Sequence, residues 1–331
     1  MTRTTPARPI SVETVFPELT AYRGRVTRLH PRPGLPGARD SHVGGPMLWP
    51  YDEPWPVCHE QHQRETEGYA PDEILTARAS GGWPPSRPWP ADAAPGTDAP
   101  VPFGGLAQLF CRDVPGLPPG PDGADLAQIF RCPFVHGLHH ERRYHLRWRK
   151  AEVAERAGRF LDPPPRVPLL RSEHELPEPC VLHPEEVDTY PWAEDGVLPG
   201  PLIARIDAWD DAQISEHGPH ALNYQGALSI PPGWRVGGLP SWASTGPMAI
   251  DCASCATPMR LLLTAGGEET DVDSHSWVPL EDRDPSWRGN AAVQGGPFLA
   301  QPTRLRFGRD RDLHVFVCPA DQGHTPRWIL S

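Results

Sequence analysis

The chain has 331 residues, enough for one large domain or two ordinary ones, each with a sizeable core. Its formal charge of −11 lacks the basic footprint of a general phosphate-backbone binder, and no apolar run approaches membrane-spanning length. Neither nucleic acid nor a membrane is therefore expected as a partner.

Proline is the anomaly, with 45 residues against an average usage of roughly 5%. It removes an amide donor and breaks helix and central-strand interiors, so long irregular connections and short strands are expected. The 12 tryptophans and the spaced Val, Leu and Phe runs supply core material that disordered chains lack. Seven cysteines behind a polar N-terminus without a signal-peptide core predict a reduced, cytoplasmic protein, in which paired cysteines favour metal over disulfide.

In chain order, a short helix is expected near 11–16, ended by Pro17, and then a strand over 22–29. A helix over 71–79 follows from Pro71 at a first-turn position with Asp72 and Glu73 behind it. Residues 81–102 hold seven prolines and read as an extended loop. Leu106-Ala-Gln-Leu-Phe110 and Leu126-Ala-Gln-Ile-Phe130 are near copies, read as strands whose Pro/Gly linker permits a hairpin. Tyr144, Leu146 and Trp148 alternate with arginines as in a half-buried strand. A short helix is expected over 184–190. A longer one is expected over 201–216, where Leu202, Ile203, Ile206, Trp209 and Ile214 share a broad face. Strands over 259–264, 304–307 and 313–318 complete the expectation.

Two stretches echo each other. Val43, Gly44, Gly45, Trp49 and His62 each lie 193 residues before Val236, Gly237, Gly238, Trp242 and Cys255. This predicts an internal duplication in an α+β, β-rich fold: two similar halves, 1–165 and 166–331, each a small twisted sheet with long Pro-rich loops, packed as one body.

Each half carries a candidate metal site. Cys252-x-x-Cys255 places two thiolates on one tight turn, and Cys318 and His324, from a distant strand end, would complete a tetrahedral shell. A buried strand cysteine beside an unrelated turn pair, or a redox Cys-x-x-Cys, are the competing readings. In the first half the set is Cys58, His62, Cys132 and His136, with Cys132-Pro133 at a strand end as Cys318-Pro319 is. His59, His139 and His140 compete as ligands there, and surface histidines are the plain alternative.

The Trp-Pro pairs at 49, 55, 83 and 89 read as loop anchors rather than an aromatic groove. Arg142, Arg143, Arg147 and Arg149 read as a solvated strand face. No Gly-x-Ser-x-Gly, His-Glu-x-x-His or phosphate loop is present. His139-His140-Glu141 with Cys180 and His183 matches the zinc-deaminase pattern only faintly.

Gly237-Gly238-Leu-Pro240-Ser-Trp242, Cys252-x-x-Cys255-x-x-Pro-Met259 and Leu313-His-Val-Phe-Val-Cys318 resemble the YwqG-like family of bacterial proteins. In the first half, Gly44-Gly45-Pro46, Trp49-Pro50, Trp55-Pro56-x-Cys58 and Cys132-Pro133-x-x-His136 resemble a long actinobacterial branch of it. The resemblance implies a mixed α+β fold with much β and brings no catalytic residues. Gly308-Arg-Asp310-Arg-Asp312 departs from its Gly-Asp-x-Gly turn.

The expected function is a non-enzymatic, zinc-stabilised binding protein with one or two structural zinc ions and a protein or peptide partner. The alternative is a metal-dependent, hydrolase-like enzyme using an open first-half site.

Overall fold

The computed structural model describes residues 2–63, 65–89, 99–137, 141–161, 164–218, 221–242, 245–270, 273–283, 300–308 and 311–331. Its α-helices are α1 (Val12–Val15), α2 (Pro71–Ser80), α3 (Ala151–Arg156) and α4 (Gly200–His217). The early strands are β1 (Gly24–Arg28), β2 (Arg32–Pro33), β3 (His42–Val43), β4 (Val57–Cys58), β5 (Glu67–Gly68), β6 (Arg87–Pro88), β7 (Val101–Pro102) and β8 (Gly104–Phe110). There follow β9 (Leu126–His136), β10 (Glu141–Arg149), β11 (Cys180–Val181), β12 (Glu185–Thr189), β13 (Arg235–Val236), β14 (Arg260–Ala265), β15 (Leu313–Val317) and β16 (Arg327–Leu330). Most are short, as frequent proline requires.

Two six-stranded antiparallel sheets result, ordered β10-β9-β8-β3-β11-β2 and β12-β1-β13-β14-β15-β16. Sheet membership crosses the chain midpoint: early β1 lies with the late strands, and β11 with the early ones. The sheets share one apolar core. Ala107, Leu109, Ile129 and Leu146 meet Val236, Leu263, Val315 and Trp328 there, and Tyr144 stacks on Trp328 with ring centroids 5.1 Å apart. Each fully buried Leu or Val contributes about 1.5–3 kcal/mol, which ties the two sheets together.

Other side chains of the same strands form separate cores with irregular lobes. Phe130, Cys132 and Phe134 pack against Trp49, Trp55, Trp89 and Phe103. Leu261 and Phe316 pack against Trp242, with Ile250 and Met259 at the margin. Three of the four Trp-Pro tryptophans are thus buried anchors, and Trp49 and Trp55 donate their indole N–H to Glu53 O (3.0 Å) and Phe103 O (2.8 Å). Trp83 is exposed.

The central strands of the two sheets correspond closely. β3-β8-β9-β10 and β13-β14-β15-β16 have the same pairing, with a bulge between Gly105 and Ala107 in one and between Leu261 and Leu263 in the other. At the bulge, Gly44 N–H donates to Leu106 O (2.9 Å) and Gly237 N–H to Leu262 O (3.0 Å). Both glycines are left-handed, with φ of 69° and 75°, a region that side chains disfavour.

One register step on, a cross-strand polar pair fastens the lobe. Gln108 Oε1 accepts from Leu48 N (2.7 Å) and from Gln128 Nε2 (2.8 Å), while Gln128 Nε2 also reaches Leu48 O (3.2 Å). Its counterpart is Thr264–His314 (3.0 Å), with His314 Nε2 donating to Ser241 O at 3.0 Å. These pairs occupy matching registers, Gln108↔Gln128 and Thr264↔His314.

Several local expectations are met, including the helix at 71–80, the β8–β9 hairpin and the long α4. Others fail. Residues 185–189 form a strand rather than a helix, because Glu186 and Asp188 meet Arg25 across β1 (3.9 and 3.8 Å) and Val187 opposes Val26. Residues 304–307 form no strand: Arg304 is left-handed (φ 53°), while Leu305 and Phe307 still reach the shared core. Ile214, assigned to the apolar face of α4, is exposed, and burial is confined to Leu202 and Ile206 in its first half. Much of the proline-rich stretch, 90–98, lies outside the described residues.

Candidate metal centres

All eight sequence-predicted ligands fall into two clusters. Cys58, His62, Cys132 and His136 form one; Cys252, Cys255, Cys318 and His324 form the other. In each, the four donor atoms lie within 4.8 Å of one another. Zinc bonds of about 2.0–2.3 Å in a tetrahedron imply donor separations of roughly 3.3–3.8 Å. Cys252 Sγ to His324 Nδ1 is 3.4 Å, Cys255 Sγ to Cys318 Sγ is 3.5 Å, and Cys58 Sγ to His136 Nε2 is 3.9 Å. These spacings suit a metal shell. All seven cysteines are free thiols.

The second cluster is assembled from two turns. Ile250 O accepts from Met259 N (2.8 Å), closing a small hairpin whose tip carries Cys252 and Cys255. Ala256, left-handed at φ 56°, lets its N–H return to Cys252 O at 2.8 Å. Burial opposes ionisation of Cys252, but the backbone N–H groups of Ser254 and Cys255 hold its thiol below the usual range. β15 delivers Cys318, whose turn presents the N–H groups of Ala320 and Asp321 to the sulfur in the same way, though burial leaves its thiol raised. The Thr257 hydroxyl, 3.3 Å from Cys255 Sγ, brings Cys255 down to about 6, with help from the Thr257 N–H. Burial disfavours charged His324, yet Cys252 and Cys255 raise its pKa, and Asp321 Oδ2 lies 3.7 Å from Nε2. A carboxylate on the far ring nitrogen orients a ligating histidine.

The first cluster is buried throughout. β4 holds Cys58 against Val101 of β7. β9 runs beyond Arg131, the partner of Gly104, and the 62–63 segment pairs alongside this extension through His62↔His136 and Gln63 N to Val135 O (2.9 Å). The β9–β10 register shifts near Pro133, where proline supplies no N–H. His136 Nδ1 donates to Gln61 O at 3.0 Å, which leaves Nε2 facing Cys58.

A hydrogen bond from Cys132 is the main reason the Cys58 thiol falls to about 5, and the proton retained on Cys132 raises that group. Burial lowers His136. His62 is 2% exposed, and neither ring nitrogen has a hydrogen-bond partner. Buried polar atoms are normally satisfied, and this unsatisfied imidazole beside two thiols offers a donor set that fits a metal ion.

The other candidates fall away from these clusters. His59 is exposed, and His139 and His140 lie outside the described residues. Cys180 is buried in β11, donating to Pro302 O at 3.4 Å, and Cys111 reaches Pro118 O at 3.8 Å. Neither belongs to a cluster. The arginines of β10 are paired internally: Arg142 with Glu175 (2.7 Å), Arg143 with Glu141 (2.6 Å), and Arg149 with Glu53 (2.6 Å). Spacing and the repeat relation singled out these eight candidates but not Gln61, Thr257 or Asp321, whose contacts with them depend on turn geometry.

No family model matches the chain, and no curated protein does. No helix among the described residues is long and apolar enough to cross a membrane.

Proposed function

We propose that this is a zinc-stabilised, non-enzymatic binding protein in which each metal fastens an irregular lobe to one sheet. The observation that carries the reading is the convergence of two soft-donor quartets, Cys2His2 and Cys3His, with donor atoms no more than 4.8 Å apart. Four protein ligands close a tetrahedral shell, and a closed shell is structural rather than catalytic. The first quartet is buried on all four members, which speaks against the hydrolase-like alternative with an open position there.

The same proposal includes an internal duplication. Its support is the matching bulge, glycine and polar-pair geometry of the two sheets, and the placement of Cys132 and Cys318 two residues after Phe130 and Phe316. Kinship with YwqG-like proteins, a cytoplasmic setting and a protein or peptide partner remain parts of the proposal that rest on the sequence.

X-ray absorption at the zinc edge tests the ligand sets. Two ions sharing five thiolates (2 + 3) and three imidazoles (2 + 1) give an average of 2.5 sulfur and 1.5 nitrogen scatterers, at about 2.3 and 2.0–2.1 Å. An oxygen-dominated shell would refute it.

A further inference from the structure

Beside the first lobe lies a cleft of about 360 Å³, within the roughly 300–1,000 Å³ typical of small-ligand sites. Nine prolines line it, together with Met47, Trp55, Leu106, Val167, Leu170 and Leu176. Proline walls are stiff and have no N–H to offer, so they recognise shape and apolar surface rather than a polar outline.

The charged groups set the polarity. Arg131 lines the cleft, is 4% exposed, and has a buried Nη2 without a hydrogen-bond partner; its Nη1 makes only a 3.5 Å contact with Arg306 O. Glu175 also lines the cleft, but Arg142 holds it at 2.7 Å. With Arg166, an exposed residue at the cleft's rim, three guanidiniums against one carboxylate leave this corner at +2 (3 − 1), and Arg131 is the one buried without a carboxylate partner, in a chain whose formal charge is −11. Apolar walls with one surplus buried cation complement a molecule with an apolar body and a single negative end.

Gly104 lies on the cleft. A Cβ there would meet only Arg131 O, at 3.6 Å, an ordinary contact. A side chain at 104 would thus enter open space without straining the strand.

We propose that the cleft binds an amphipathic monocarboxylate, its apolar body along the proline walls and its carboxylate toward Arg131. This rests on the reading of the protein as a binding module and supplies the ligand class.

The test is calorimetric titration of the zinc-loaded full chain with decanoate below its micelle concentration, with decanol and decyltrimethylammonium as neutral and cationic comparisons. Decanoate should bind once per chain, at least about tenfold tighter than decanol, as a charge-assisted hydrogen bond implies. Arg131→Met should erase that preference. Gly104→Leu should abolish binding of all three while metal content and melting temperature hold. Equal affinity for decanol, preference for the ammonium compound, or decanoate binding unchanged in Gly104→Leu would each overturn the proposal. Should Arg131→Met not fold, Gly104→Leu and the ligand series decide alone. A zinc-loaded chain that ignores decanoate overturns this inference and leaves the structural-zinc reading standing, whereas a chain without zinc fails that reading first.

Discussion

His62→Ala, measured with and without zinc, separates coordination from packing. The imidazole is 2% exposed, with ring centroids 5.6 Å from Phe134 and 4.8 Å from His136. Structural zinc contributes about 10–16 kcal/mol in zinc-finger peptides, so an even share for one of four ligands is about 2.5–4 kcal/mol. Lost ring contacts add about 0.5–1.5 kcal/mol. The zinc-loaded variant should therefore be less stable by about 3–5 kcal/mol, a fall in Tm of about 4–7 °C for a chain of 331 residues. Chelation changes the balance. The metal-free parent buries an imidazole with no hydrogen-bond partner, a penalty of about 1–3 kcal/mol that alanine relieves, offsetting the packing loss. Scanning calorimetry of both proteins, with and without a chelator, should show a large difference only when zinc is present. Equal losses of Tm in both conditions would show that His62 merely packs, and would refute the reasoning.

Cys255 is exposed at the mouth of the second cluster, so Cys255→Ser should release one zinc per chain in elemental analysis, while Cys111→Ser, outside both clusters, retains all metal. Gln108→Leu strands the buried Leu48 N–H, while Gln128 keeps Leu48 O and Arg149 as partners; denaturant unfolding should show the loss of one buried orphan, about 1–3 kcal/mol. His314 is fully buried, and burial, reinforced by Arg235, pushes its pKa down to about 3. A histidine depressed on folding gives stability that is fully present above its unfolded pKa of about 6.5 and lost as pH falls toward the folded value. His314→Gln should therefore flatten the fall in stability between pH 6 and 4 by about 1.4 kcal/mol per pH unit, read from denaturant midpoints across that range.

The two Cys/His quartets were legible because their residue types carry chemistry: cysteine pairs and histidines at short spacing point to a shared site before any fold is known. The Gly-Gly elements were legible for a similar reason, since φ near 70° at Gly44 and Gly237 leaves little choice of residue. The Leu-Ala-Gln repeat marked two strands but not what its glutamines do, because a cross-strand pair exists only once the register is set. Residues 185–189 misled because their acidic run resembles a helix start, and only Arg25 on another strand reveals the alternation. The crossed placement of β1 and β11 has no local signal at all. It follows from long-range pairing: β1 lies between β12 and the two-residue β13, and the two-residue β11 between β2 and β3, partners that strands this short barely encode in their own residues.

The most direct test is the zinc content of the freshly purified full chain, by elemental analysis alongside native mass spectrometry. The account predicts two zinc ions per chain, both resistant to dilution, since about 10–16 kcal/mol of binding free energy keeps a structural site filled. A folded chain carrying less than about half an equivalent of any transition metal would contradict it, because affinity of that size leaves no room for an empty shell.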